Sequence, residues 1–167
     1  DGSWWFVVVT ADRRPLADRR RFRTQMIGAR LGELRPDTWM RPANVPVTTD
    51  VPGALVTRGA LVVGDDLDLV GQLWDLDGLD RRTGESLTDL DAVDGMLDAR
   101  SRTGDGANLA AAFVRLAACQ RFLRVEPQLP EQLHHSNATQ LRARYDQVVG
   151  RYQSQLADFL RRRRDAS

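Results

Sequence analysis

The hydrophobic positions of the first half follow the spacing of strands and one helix. Residues 4–9, WWFVVV, form an unbroken aromatic and β-branched run, which is typical of a strand buried on both faces. From residue 15 to 30, Phe22 and Met26 stand at helical spacing among arginines, which predicts an amphipathic helix. Residues 32–42 carry Pro-Asp between two short apolar pieces, so we predict a hairpin there.

The next segments complete a sheet. Residues 43–53 are rich in Pro, Val and Thr and indicate a loop, and residues 54–63, ALVTRGALVV, predict one or two further strands. The element order is therefore β-α-β-β-(α)-β, with the second helix missing or very short. This layout resembles the ferredoxin-like fold of the Cas2 nucleases. We predict an α+β protein with a ferredoxin-like, Cas2-like domain over residues 1–70.

Beyond Gly64 the pattern changes to helices, and we predict a mainly α-helical domain over residues 71–167. Two prolines, Pro127 and Pro130, restrict the backbone before the last helix. They indicate an extended corner that sets the angle between two helices, rather than the edge of a catalytic site. The predicted helical segments are a patch at Leu73, Leu76 and Leu79, a helix at 87–100, a helix from Leu109 after a turn-rich break at 101–108, and a last helix capped by Ser136 or Asn137.

Composition narrows the possible classes of protein. The chain has a single cysteine, Cys119, at an apolar helical position, which excludes an internal disulfide and predicts a buried thiol. No apolar run approaches the ~18 residues that span a bilayer, so we expect a cytoplasmic protein without a membrane partner. Every basic residue is arginine. Arginines predominate before residue 45 and after 107, and acids between them, a layout suited to pairing within the chain or between two protomers.

The sequence contains few residues in patterns typical of a metal site or a catalytic site. His134 and His135 are adjacent and do not share a face, so a zinc site is not predicted. The Asp clusters at 75–80 and 89–94 lack calcium-loop spacing and indicate helix caps and solvated faces. In the Cas2 nucleases the metal-binding aspartate is the last residue of the first strand. In this chain Asp12 lies beyond the end of the predicted strand. We therefore expect no enzymatic activity, no metal and no cofactor.

Three stretches carry recognisable motifs: Phe22-Arg23 with Leu31-Gly32-x-Leu34-x-Pro36-x-x-Trp39-x-x-Pro42, then Leu73-Trp74-Asp75-Leu76, then Glu126-Pro127-x-Leu129-Pro130-x-x-Leu133. Together they resemble the PaaX-type repressors of phenylacetate catabolism. That family's hairpin reads G-F-G-x-L-x-P-G-x-W-x-x-P, followed by W-D-L and D-P-x-L-P-x-x-L-L. This chain departs from the family at Arg30 and Leu31, where Gly-Phe is usual, at Asp37 and at His134.

The resemblance implies a dimeric transcriptional regulator that an aryl-acyl-CoA releases from DNA. It implies a full protein built from an N-terminal winged-helix domain, a central Cas2-like domain and a C-terminal helical domain. The sequence begins at Asp1 rather than Met. We expect it to be the last two domains, so that DNA binds only through a missing N-terminal winged helix. Arginine suits the phosphates of such a ligand and aromatic rings suit its acyl group. The resemblance implies Arg23, Trp39, Arg41, Arg124 and His134 as ligand-binding candidates.

Three alternatives stay open. Trp39 could belong to the core while Arg23 pairs with an acid, so that neither binds a ligand. The chain could be a structural or protein-interaction module without a small-molecule ligand. The third alternative is that the chain is a Cas2-like nucleic-acid-binding protein.

Overall fold

The aromatic run near the start of the chain forms the first strand, β1 (Ser3–Val9). The computed structural model describes residues 2–11, 14–47, 52–62, 64–103 and 106–165. The other elements are α1 (Leu16–Gly28), β2 (Gly32–Arg35), β3 (Thr38–Pro42), β4 (Ala54–Ala60), α2 (Asp66–Leu73), α3 (Leu76–Thr103), α4 (Ala107–Val125) and α5 (Ala138–Asp165).

The four strands form one antiparallel sheet in the order β2-β3-β1-β4. In β1, Phe6 lies opposite Met40 of β3 on one side and Thr57 of β4 on the other. The hairpin of β2 and β3 turns through Asp37, whose positive φ of 66° is a conformation that Asp tolerates better than most residues. The predicted α+β class is confirmed, because this sheet is combined with several helices.

Alternate side chains of β1 pack on opposite faces of the sheet, as strand geometry requires. Val7 joins the cluster on the α1 face, which contains Phe22, Met26, Leu31 and Trp39. Trp4 joins the cluster on the α2 face, which contains Met40, Val70 and Leu73. The sheet is therefore covered on both sides, which explains the continuous apolar run of β1.

Contacts divide the chain into two units, and the predicted domains at 1–70 and 71–167 stay a prediction. The first unit comprises Asp1–Leu79 and Arg124–Ser136, so it holds the sheet and the proline-containing segment. The second unit comprises Asp80–Leu123 and Asn137–Ser167, which are mainly helical. Its buried residues include Leu90, Val93 and Leu97 on α3, Leu109, Ala112, Leu116 and Cys119 on α4, and Leu141 and Val148 on α5.

The helical boundaries differ from the predicted ones in the middle of the chain. Leu76 and Leu79 of the predicted patch lie in the same helix as the predicted segment 87–100, because α3 continues through Gly84 and Gly95, whereas Leu73 ends α2. A helix at 66–73 was not predicted, although Asp65 caps it by accepting a 2.7 Å hydrogen bond from the Leu67 amide. None of the helices in the described ranges is both long enough and apolar enough to cross a bilayer.

Candidate functional site

Two of the five predicted ligand-binding residues meet on the α1 face of the sheet. Trp39 is only 3% exposed and packs edge-on against Phe22, with ring centroids 6.4 Å apart. The guanidinium of Arg23 lies 5.5 Å from the centre of the Trp39 ring and pairs with Glu33. The ring of Trp39 is thus core, and Arg23 has an acidic partner, as the first alternative anticipated.

These residues border a recess that we name the arginine cleft, defined by Arg14, Arg19, Arg20, Phe22, Arg23 and Trp39. Its lining also includes the carboxylates of Glu33 and Asp37, the acidic partners of Arg23 and Arg14. Its volume is about 270 Å³. Arg14 pairs with Asp37 at 2.5 Å and lies 4.4 Å from the centre of the Phe22 ring. Arg19 and Arg20 are exposed, and within the described part of the chain no carboxylate pairs with either.

The position of these arginines on α1 favours anions. Arg19 and Arg20 lie in the first two turns of the helix, where the backbone dipole is positive and cations are disfavoured. An anion placed beside them would be attracted by both the side chains and the helix terminus. The cleft can therefore bind a phosphate-bearing group next to an aromatic surface.

Arg41, the third candidate, donates its hydrogen bonds to groups of the protein itself. Its side chain is 1% exposed, and its guanidinium donates to the backbone oxygens of Pro42, Ala29 and Pro127 at 3.1, 3.4 and 3.1 Å. It also donates to the amide oxygen of Asn44 at 3.3 Å. Burial, and to a lesser extent the neighbouring charge of Arg30, lowers the pKa of Arg41 to about 10. These contacts connect β3 and the end of α1 to residues 126–130, which contain Pro127 and Pro130 and which we name the proline segment.

Arg124 and His134 flank the proline segment, away from Trp39. Arg124 is exposed at the end of α4, and the backbone amide of His134 donates to Pro130 at 3.0 Å. Between them, Leu129 and Leu133 pack against the Trp4 cluster on the face of the sheet opposite Trp39. The structure therefore brings Arg23 and Trp39 together and leaves Arg124 and His134 apart from them.

The α2 face holds a second recess that the sequence did not reveal. This sheet-face cavity of about 570 Å³ is lined mainly by Phe6, Leu34, Met40, Leu61 and Leu69, with Arg35 at its rim. Strand alternation could have placed Phe6 and Met40 on one face, but only their pairing across β1 and β3 shows that they meet.

Metal and thiol chemistry receive no support from the described residues. Within those ranges no group of three His, Cys, Asp or Glu side chains could hold a metal ion. Asp12 lies outside the described residues. Cys119 is buried, as predicted, and burial raises its pKa from 9.0 to about 11, although a hydrogen bond with Ser86 acts in the opposite direction. A thiol with so high a pKa is a weak nucleophile near neutral pH.

Comparison with known proteins supports the fold. No family model matches the sequence. No curated protein matches it either. The chain is similar to the solved structure of uncharacterized protein Rv0674 from Mycobacterium tuberculosis, with a TM-score of 0.62 and 28% identity over 93% of this chain. It spans 64% of the length of that protein.

Proposed function

We propose that this chain is the effector-binding and dimerisation region of a PaaX-type transcriptional regulator, and that its effector is an acyl-CoA. The observation that carries the proposal is the arginine cleft, which is built from the helix and hairpin that bear the family-like motif. Phe22 and Arg23 come from the α1 part of that motif, and Trp39 comes from its β3 part.

The sheet topology also favours this assignment. A ferredoxin-like sheet has its first strand between the third and fourth and its second strand at an edge. The order β2-β3-β1-β4 has this arrangement. No helix occurs between β3 and β4 in the described residues 43–47 and 52–53, which agrees with the shortened β-α-β-β-(α)-β layout. We therefore propose that the sheet is a reduced Cas2-like domain.

The cleft chemistry fits the phosphate end of a CoA thioester. Guanidinium groups bind phosphate oxygens through paired, charge-assisted hydrogen bonds, and Arg19 and Arg20 are available for this purpose. Leu16 and Pro36, which are exposed and also line the cleft, offer apolar contact to a base or a pantetheine arm. A volume of about 270 Å³ holds only part of such a ligand, so the remainder would extend over the surface.

The regulatory step follows from differential binding. A ligand changes the arrangement of a dimer only if it binds one arrangement more tightly than the other. In the proposed regulator, that change alters the spacing of two winged-helix domains supplied by the N-terminal part of the full protein. The region itself supplies ligand binding and dimer contacts and performs no catalysis.

Calorimetric titration with phenylacetyl-CoA, CoA and phenylacetate tests the ligand. We expect micromolar binding of the thioester, and a movement of the Trp39 indole signal in NMR spectra. The double variant Arg19→Ala/Arg20→Ala should weaken binding at least tenfold, because two charge-assisted contacts are lost. Arg21→Ala is the matched control, because Arg21 lies on the same helix but pairs with Asp18, outside the cleft.

Two results would contradict the proposal. If no CoA thioester binds at millimolar concentration, the protein-interaction alternative becomes the better explanation. If a thioester binds equally well to the double variant, the site lies elsewhere than the arginine cleft. Dimerisation is measured separately, since light scattering distinguishes the 18.8 kDa protomer from a particle of twice that mass.

A further inference from the structure

The sheet-face cavity lies where the short helix α2 leaves part of the sheet uncovered. At one end of this face, Trp4, Met40, Val70 and Leu73 form a buried cluster. Beyond that cluster Phe6 is only half-buried, as are two further residues that pack against the cluster, Leu61 and Leu69. Because α2 has eight residues, it cannot extend over the whole sheet. An apolar floor therefore faces an open recess.

The size and lining of this recess are those of a small-molecule site. Its volume of about 570 Å³ lies within the usual range of ~300–1,000 Å³ for ligand pockets. Such pockets combine an apolar lining with a few oriented polar groups. Phe6, Met40 and Leu69 supply the apolar floor, and the polar groups lie at the rim.

Arg35 is the oriented cation at this rim. Its Nε donates a 3.2 Å hydrogen bond to the hydroxyl of Thr38, which also borders the cavity. In the described part of the chain no carboxylate pairs with Arg35, whereas Arg14 and Arg23 on the other face of the sheet each have an acidic partner. The terminal nitrogens of Arg35 can therefore bind a carboxylate in paired geometry.

Two acids that border the cavity limit the charge of the ligand. Asp65 and Asp68 border the same cavity at the start of α2. Asp65 accepts the hydrogen bond that caps the helix, and its negative charge remains beside the opening. A ligand with several negative charges would be repelled by these carboxylates, whereas one charge can be placed against Arg35. In the arginine cleft, by contrast, the two carboxylates Glu33 and Asp37 are already paired with Arg23 and Arg14.

We propose that the sheet-face cavity binds a compact apolar monocarboxylate, of the aryl-alkanoate or medium-chain alkanoate class, with its carboxylate on Arg35 and its apolar body on Phe6 and Met40. Phe6 and Met40 point to the face opposite Trp39, since consecutive side chains of a strand alternate. The proposal is thus independent of acyl-CoA binding in the arginine cleft.

The three methionines of the chain allow a site-specific test. Met40 lines the cavity, Met26 is buried in the cluster on the other face, and Met96 lies on α3. The protein, labelled with ¹³C at its methionine methyl groups, is titrated with 3-phenylpropanoate and octanoate, and with the neutral analogue 3-phenylpropanamide. We expect the Met40 signal to shift saturably with both acids while the signals of Met26 and Met96 stay in place.

Two variants test separately the charge of Arg35 and the apolar contact inside the cavity. Arg35→Gln should weaken binding of the acids at least tenfold, and the neutral amide should bind the unmodified protein at least tenfold more weakly than its acid. Leu34→Trp, at the half-open rim, should block the cavity and abolish the Met40 shift. Arg21→Gln is the control, because Arg21 is an exposed arginine that does not border the cavity.

The proposal is overturned by a static Met40 signal at 20 mM acid, by equal shifts of all three methyl groups, or by unchanged affinity in Arg35→Gln. Binding of phenylacetyl-CoA is followed in the same sample through the Trp39 indole signal. A CoA response without a Met40 shift would refute the cavity proposal alone, and a Met40 shift without a CoA response would refute the cleft proposal alone.

Discussion

The guanidinium of Arg41 donates a 3.1 Å hydrogen bond to the carbonyl oxygen of Pro127, which follows it by 86 positions in the chain. A parallel contact joins Arg30 to the carbonyl oxygen of Glu126 at 2.9 Å. Proline cannot donate a backbone hydrogen bond, so the corner depends on its carbonyl groups for attachment. These arginines fasten the proline segment to the sheet, which explains why it has an ordered path without regular secondary structure.

Replacing Arg41 should therefore destabilise the first unit. In Arg41→Met the buried carbonyl oxygens of Ala29, Pro42 and Pro127 lose their donor, and each unsatisfied group costs about 1–3 kcal/mol. We expect the free energy of unfolding to fall by about 3 kcal/mol, measured by urea denaturation. The exposed Arg21→Met variant should change it by less than about 0.5 kcal/mol. Equal effects of the two substitutions would refute a clamping role for Arg41.

A close approach between β2 and α2 makes Gly32 hard to replace. A Cβ atom at Gly32 would lie 2.7 Å from Cβ of Leu73 and 3.1 Å from its carbonyl oxygen. We expect Gly32→Ala to lower the free energy of unfolding by about 1–3 kcal/mol, because backbone and side chain must both move. Gly28→Ala, where a Cβ meets nothing within 4 Å, is the matched control. Thermal denaturation of both variants distinguishes steric crowding from a general effect of removing glycine.

Much of the sheet could be predicted because its signals are local. The run Trp4–Val9 predicts a central strand from composition alone, and Pro36-Asp37 marks the hairpin turn. The merged helix α3 could not be predicted in the same way. Gly84 and Gly95 are weak helix formers, and tertiary contacts offset them. Leu90, Val93 and Leu97 are buried, and acids of α3 pair with arginines of α5 more than 50 positions away.

The candidate site was predictable only in part. Arg23 and Trp39 were two of the five candidates that the resemblance implied, and the structure places the guanidinium of the first over the ring of the second. The role of Arg41 depends on carbonyl groups from a remote segment, which no local pattern reveals. The sheet-face cavity depends on strand register and on the short length of α2, so it too follows only from the tertiary structure.

The raised pKa of Cys119 predicts a specific dependence of stability on pH. A thiol is neutral when protonated, and its pKa is about 11 in the folded chain against an ordinary 9.0. The folded state thus binds more protons than the unfolded state between these values, and stability is lost as pH rises from 9 towards 11. The total loss from this group should be about 3 kcal/mol, since one pKa unit corresponds to about 1.4 kcal/mol.

Comparison with Cys119→Ala isolates this contribution. Burial also raises the pKa of Tyr152, but that effect is common to both proteins and cancels in their difference. Urea denaturation at pH 8, 9, 10 and 11 should show the unmodified chain losing stability more steeply than the variant. Parallel pH profiles would mean that the folded and unfolded states do not differ in the ionisation of Cys119.

Asp94 joins two arginines of α5 and should be the most sensitive acid of α3. Its carboxylate pairs with Arg144 at 2.5 Å and with Arg151, and its side chain is 15% exposed. Asp98 pairs with Arg151 at 2.6 Å and is 57% exposed. Partial burial reduces solvent screening, so the Asp94 pairs should contribute more than the median surface ion pair. We expect Asp94→Asn to cost about 1–2 kcal/mol and Asp98→Asn less than about 0.5 kcal/mol.

A double-mutant cycle tests whether that cost comes from ion pairing. If it does, Asp94→Asn and Arg144→Gln should be non-additive, with a coupling energy of about 0.5–1 kcal/mol. High salt should reduce the coupling, since ions screen exposed parts of the pair. Additive losses that do not change between 0.1 and 1 M NaCl would indicate that Asp94 acts through packing instead. In that case the continuity of α3 through its glycines would have to come from its buried leucine and valine face.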